Sequence, residues 1–246
     1  MVKHPLIKLP EDNATQLWRY MSMDKYQSLL ETSSLYFCRS DLFEDPFEGS
    51  YSFINNEDKF DELYSPPGAP PGCSRLARER MRQMIKYIRF VSYINCWHMS
   101  EYESAAMWKL YGESVCIRTS LEKLKSEVHS FNEKIEISVV SYFDYRNDFI
   151  PEFNTITPFV CKRKSFEYEK ELRAIWQHPE GHNMPQDPSN QKGYLVKIDP
   201  SNLIQKIYVH PNCSDDFRDE VTQLTNAHGL SASLVVRSDM ETAPFW

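Results

Sequence analysis

Short apolar runs, each about the length of a strand and each followed by a turn or a helix-start signal, constrain this chain more than any other feature. Leu17–Met21 reads as a short strand, and Ser22 can cap a helix that carries Tyr26, Leu29 and Leu30 at helical spacing. Leu35–Arg39 is a second strand. The turn-rich DLFEDPFEG follows, where Pro46 stops regular structure. Val91–His98 alternates as a buried strand. Ser100 and Glu103 then form an S-x-x-E capping box for a helix through Tyr111, and Thr119 with Glu122 repeats it after the strand Val115–Arg118. Ile135–Phe143 reads as one long strand. Glu169–Trp176, Tyr194–Ile198, Ile204–His210 and Ala232–Arg237 follow as strands, with a helix over Asp215–Ala227. The expectation is a single α+β domain over residues 1–246, with a mixed, largely antiparallel sheet of roughly eight strands and several short helices. The prolines of YSPPGAPPG, residues 64–72, predict an exposed extended loop.

Function classes fall away quickly. The chain has only seven glycines in 246 residues, and it contains no G-x-G-x-x-G, no G-x-x-x-x-G-K-[ST], no G-x-S-x-G and no H-E-x-x-H. Dinucleotide-binding Rossmann turns, P-loops, hydrolase elbows and zincins are thereby excluded. A net charge of −7 gives no general field for a phosphate backbone. The basic helix from Arg75 to Arg89 is the local exception, readable as a solvated helix face or a nucleic-acid patch. No apolar run is long enough to span a membrane and the N-terminus lacks a signal-peptide core, so a cytoplasmic protein with no membrane partner is expected. The six cysteines have no finger-like spacing and read as reduced core residues, with no metal expected.

Two segments depart from ordinary packing. In EKELRAIW, a two-residue period puts Glu169, Glu171 and Arg173 on one face and Leu172, Ala174 and Trp176 on the other. Ionised groups alternating on a strand must reach water, a counter-charge or a ligand. They form either cross-strand ion pairs or a carboxylate pair that binds a sugar hydroxyl and steadies a cationic transition state, with Arg173 fixing its geometry. Arg19 and Tyr20 are the second anomaly, since an inward guanidinium can grip a phosphate with two hydrogen bonds, the alternative being an ion pair with Asp41 or Asp45. Asp45 and Glu48 form a polar turn or hard-cation ligands. His98 is a satisfied core histidine or a general base. Trp108 and Tyr111 lie one helical turn apart, to pack in the core or to stack on a base.

The segments LWRYMS, LYFCRSDLFEDPFEGS, CWHMSEYESAAMWKLYGESVCI and FEYEKELRAIW, in that order, resemble the bacterial family designated domain of unknown function 2971, over Leu17 to Pro211. A remoter resemblance is to ADP-ribosyltransferases, through the order Arg19, Tyr36 and Glu169-Lys170-Glu171. Tyr36 follows Arg19 closely, no Ser-Thr-Ser strand is apparent, and the D-P-F-E turn has no counterpart there. That resemblance implies NAD as substrate, with Arg19 on its pyrophosphate, Tyr36 against the nicotinamide ring, Glu171 on the nicotinamide ribose and Glu169 orienting the acceptor. The acceptor would be water, a protein or a nucleic acid, and the activity would suit a toxin or antiphage effector. Two other classes stay open. One is a non-catalytic module in which Arg19, Trp108, Tyr111 and the carboxylates recognise a nucleotide-type small molecule or a peptide. The other is a metal-dependent phosphodiesterase built on Asp45, Glu48, Glu169 and Glu171.

Overall fold

The computed structural model describes residues 5–56, 68, 73–112, 114–131, 134–151, 154–178, 191–242 and 244. Of the proline-rich stretch 64–72 only Gly68 falls within them, so the predicted loop lies outside the described residues. In chain order the elements are β1 (Gln16–Met21), α1 (Met23–Thr32), β2 (Ser34–Arg39), α2 (Cys73–Val91), β3 (Ser92–Met99), α3 (Ala105–Tyr111), β4 (Val115–Ser120) and α4 (Leu121–His129). Then come β5 (Ile135–Val139), β6 (Ser141–Phe143), β7 (Cys161–Arg163), β8 (Glu171–Gln177), β9 (Gly193–Lys197), α5 (Pro200–Leu203), β10 (Lys206–Val209), α6 (Asp215–Ala227) and β11 (Val235–Val236). The fold is α+β, with a mixed and largely antiparallel sheet. No described helix is long and apolar enough to cross a membrane.

The sheet forks at β3. β8 pairs along the whole of one edge, from Ser92↔Gln177 to His98↔Glu171. The opposite edge is shared, with β2 paired at Ile94 and Tyr93, and β1 at His98 and Met99. Between those ends the buried backbone still needs partners, and side chains supply two of them. Asn95 Nδ2 donates to the Tyr36 carbonyl at 2.9 Å, and Arg19 Nη1 donates to the Cys96 carbonyl at 2.7 Å. The strands therefore fan apart around a gap that the Asn95 and Arg19 side chains bridge.

Alternation along the strands gives the sheet two unlike faces. Leu17 and Met21 of β1, Tyr93 and Trp97 of β3, and Leu172, Ala174 and Trp176 of β8 join the largest apolar core, which α1, α4 and α6 cover. On the other face Ile94 and Ile175 belong to a second cluster with Phe159 and Cys161, while Trp18, Tyr20, Met107 and Trp108 make a third.

Several local expectations are corrected. The helix after β3 is capped by Ser104, whose side chain accepts from the Met107 amide, and not by the Ser100–Glu103 box. Glu103 instead accepts from Trp108 Nε1 at 3.0 Å and from Ser238 Oγ and the Asp239 amide. Likewise Ser120, not Thr119, caps α4, because the Thr119 hydroxyl is buried and donates to the Leu203 carbonyl at 2.6 Å. The long strand 135–143 is two strands. At Val140 the backbone leaves its neighbour β8 by way of a bond from the Val140 amide to the Glu171 carbonyl, and β6 then pairs in parallel with β7. The last strand is reduced to Val235–Val236 after a short 3-10 turn.

Candidate functional site

A cleft of about 550 Å³ opens at the fork, between the two smaller apolar clusters. Its walls carry Arg19 and Tyr20 from β1, Lys25 from α1, Cys38 from β2, Cys96 and His98 from β3, and Tyr111 from the end of α3, while Lys162 approaches from β7, Glu169 from the turn before β8 and Glu171 from β8. The register explains the convergence. Trp18 lies opposite His98 and His98 opposite Glu171, so Arg19 and Glu171 stand two strand spacings and one residue apart. That is about 10 Å between their α-carbons.

The acidic strand begins later than its sequence pattern predicts. Lys164–Glu169 is a 3-10 turn, Lys170 takes a left-handed φ of 41°, and β8 starts at Glu171. Glu169 is thus not on the strand. The left-handed residue, which costs a side chain about 1 kcal/mol, nevertheless keeps Glu169 beside Glu171. Lys162 Nζ donates to Glu169 Oε2 and lies 3.5 Å from Glu171 Oε1.

Behind this pair sits a fully buried arginine. Arg173, at 0% exposure, donates through Nε to Glu171 Oε2 at 2.7 Å, through Nη2 to Glu48 Oε2 at 3.0 Å, and through Nη1 to the Phe159 carbonyl at 2.8 Å. Glu48 comes from the turn around Pro46, as does Asp45, which accepts from Arg163 Nη2 at 2.7 Å. A relay of alternating acidic and basic groups therefore runs Glu48, Arg173, Glu171, Lys162, Glu169. Buried ions of this kind are tolerable only with paired partners and satisfied hydrogen bonds.

The relay drives the two carboxyls apart in acidity. Burial pushes Glu169 up to about 7, and the neighbouring Glu171 charge adds to it. Burial also acts on Glu171, but Arg173 and Lys162 outweigh it and hold that carboxyl below its usual range. Of the two carboxyls Glu169 is therefore the weaker acid, the one that holds a proton more readily, and Glu171 the carboxylate. Such split pairs supply an acid and an anion in one site. For Lys162, burial is outweighed by Glu171 and Glu169, which hold it above its usual value.

At the other wall Arg19 donates to the Cys96 carbonyl, and its guanidinium lies 5.8 Å over the Trp97 ring. Burial draws its pKa below the usual arginine value, although a guanidinium stays cationic. Among the described residues neither Arg19 nor Lys25 forms an ion pair, so the Asp41 or Asp45 partnership open for Arg19 from sequence is not made; Asp41 pairs with Arg39 and Asp45 with Arg163.

The remaining predicted residues divide. Tyr20 is in the cleft wall, its Oη accepting from the Ser104 amide at 2.8 Å, and Tyr111 stacks on it at 6.2 Å. Trp108 lies behind Tyr20 as a buried edge-on ring, outside the cleft. Tyr36 is also outside: it is 44% exposed and lies across Gly193 of β9, where an added Cβ would come within 2.1 Å of its ring. Cys38, two residues on, faces the cleft instead. Lys162 and Lys25 were not legible as site residues. The only local hint of Lys162 is a cation inside the apolar run FVCKR. Among the described residues no group of three or more His, Cys, Asp or Glu side chains is gathered to hold a metal ion. No family model matches this chain, and no curated protein is significantly similar to it.

Proposed function

We propose that the cleft binds NAD and cleaves its bond from nicotinamide to ribose, as an ADP-ribosyltransferase or NAD glycohydrolase acting in the cytoplasm. The observation that carries this reading is one cleft that holds Arg19 and Lys25, neither in an ion pair among the described residues, together with the carboxyls of Glu169 and Glu171, the α-carbons of Arg19 and Glu171 lying about 10 Å apart. Its volume suits a ligand of that size. In this reading Arg19 and Lys25 hold the pyrophosphate, and Tyr20 with Tyr111 flanks an aromatic ring. Glu171 hydrogen-bonds the nicotinamide ribose and steadies the oxocarbenium ion as nicotinamide departs with the bonding electron pair. Arg173 and Lys162 fix Glu171, and Glu169 orients the acceptor. In this reading the chain is a member of the bacterial family that it resembles and serves as a toxin or antiphage effector.

A second reading draws on how fully Glu171 is already paired by Arg173 and Lys162, which favours a recognition module for a nucleotide-type ligand without turnover. A phosphodiesterase built on Asp45, Glu48, Glu169 and Glu171 is less well supported, since Arg163, Arg173 and Lys162 occupy those carboxylates.

The test is nicotinamide release from NAD by the purified protein, compared with Glu171→Gln and repeated with chelator. The expected result is release by the wild type, unaffected by chelator and lowered on the order of a hundredfold or more in the variant. No release, together with no rise in Tm on adding NAD, would sink the NAD reading. A Tm rise without release would leave the recognition module standing.

A further inference from the structure

One polar side chain of the cleft has no part in the chemistry above. His98 is buried on β3, opposite Glu171 in register and two residues from Cys96, whose carbonyl holds Arg19. Cross-strand partners on one face have β-carbons about 5 Å apart, so the imidazole stands beside the carboxylate assigned to the ribose. Its Nδ1 lies 2.6 Å from the Glu169 carbonyl oxygen. A carbonyl only accepts, so Nδ1 carries the hydrogen and Nε2 is left with its lone pair.

We infer that His98, through Nε2, is the base that takes the proton from the acceptor during cleavage, a role that rests on the NAD reading of this cleft. In the step, the acceptor oxygen or nitrogen forms a bond to the ribose C1′. The C1′ bond to nicotinamide breaks with both electrons going to the pyridinium nitrogen. The proton lost by the acceptor goes to His98 Nε2, and nicotinamide leaves neutral.

Geometry favours His98 over Glu169 for this task. Glu169 accepts from Lys162 Nζ with one oxygen, so part of its lone-pair density is committed to that ion pair. The groups that face His98 are Glu171 on β8, Lys170 and the Glu169 carbonyl on the turn before it, and the Tyr20 ring on β1 at 6.3 Å. Burial is the largest influence and draws the His98 pKa below 6.5, assisted by Lys170 and opposed by the Glu169 carbonyl and Glu171. The ring is therefore neutral, and competent as a base, at pH 7.

The variant His98→Asn separates positioning from base chemistry, because the amide Nδ2 can still donate to the Glu169 carbonyl while nothing replaces Nε2. Expected are an unchanged NAD-induced Tm rise and nicotinamide release lowered on the order of a hundred- to ten-thousand-fold. The wild-type rate should fall as pH drops below 6.5. That acid limb should vanish in His98→Asn, and added imidazole should restore part of the rate. Nitrogen-15 NMR of the wild type should show the hydrogen on Nδ1 at pH 7. A hydrogen on Nε2, or a variant with the wild-type rate and acid limb, overturns the base role and leaves the NAD reading intact. A wild type that releases no nicotinamide overturns both.

Discussion

The two faces of β8 use the same strand for opposite purposes. On one face Leu172, Ala174 and Trp176 enter a continuous apolar core. On the other, the buried Glu171 and Arg173 are held by charge partners brought from the turn after Pro46 and from β7, with the Phe159 carbonyl taking one further Arg173 hydrogen bond. Apolar burial is non-directional and tolerates repacking. A buried ion has no such latitude, because losing one partner strands the other in a low dielectric. The charged face therefore holds fixed geometry against a cleft, and the apolar face supplies the stability that permits it.

Substituting both faces in turn gives the largest test of this contrast. Arg173→Met is expected to cost about 3–5 kcal/mol by leaving Glu48 and Glu171 unpaired, read from the urea midpoint at pH 7. Leu172→Ala on the opposite face is expected to cost about 2–5 kcal/mol by opening a cavity. The distinguishing sign is pH: Arg173→Met should recover stability at acid pH as its orphaned carboxylates take up protons, and Leu172→Ala should not. Equal behaviour of the two with pH would mean that the charged face is merely packed.

The next effect concerns Glu169. Its folded pKa lies above the unfolded value, so the protonated form is favoured by folding. Its contribution is fully present below about pH 4.5 and is lost as pH rises through about 7. Replacing it with glutamine should remove that slope, on the order of 3 kcal/mol between those limits, seen by comparing urea midpoints of Glu169→Gln and wild type across pH 4.5–8. Parallel curves would break the assignment of the proton to Glu169.

The smallest effect tests a boundary. Ser104→Ala removes the α3 cap and should cost about 1 kcal/mol. Ser100→Ala should cost less, since its hydroxyl accepts only from the exposed Tyr102 amide. Thermal unfolding of both variants would show whether the helix starts where its backbone does or where the capping-box pattern points.

Sequence alone determined the alternation of short strands and helices, the segregation of Glu171 and Arg173 from Leu172, Ala174 and Trp176, and the start of α6 after Ser214. These follow from local physics: a two-residue period, a helical spacing and a capping side chain each act over a few residues. The caps of α3 and α4 were misread because Thr119 spends its hydroxyl on Leu203, and the Ser100 amide on Gln16 at the end of the β1 pairing, both distant in sequence. Only the tertiary structure decided that Glu48 and Lys162 would neutralise the carboxylates, that Tyr36 would lie on Gly193, and that the sheet would fork around Arg19. Pairing across long stretches of chain depends on which strands become neighbours, and no local period encodes that choice.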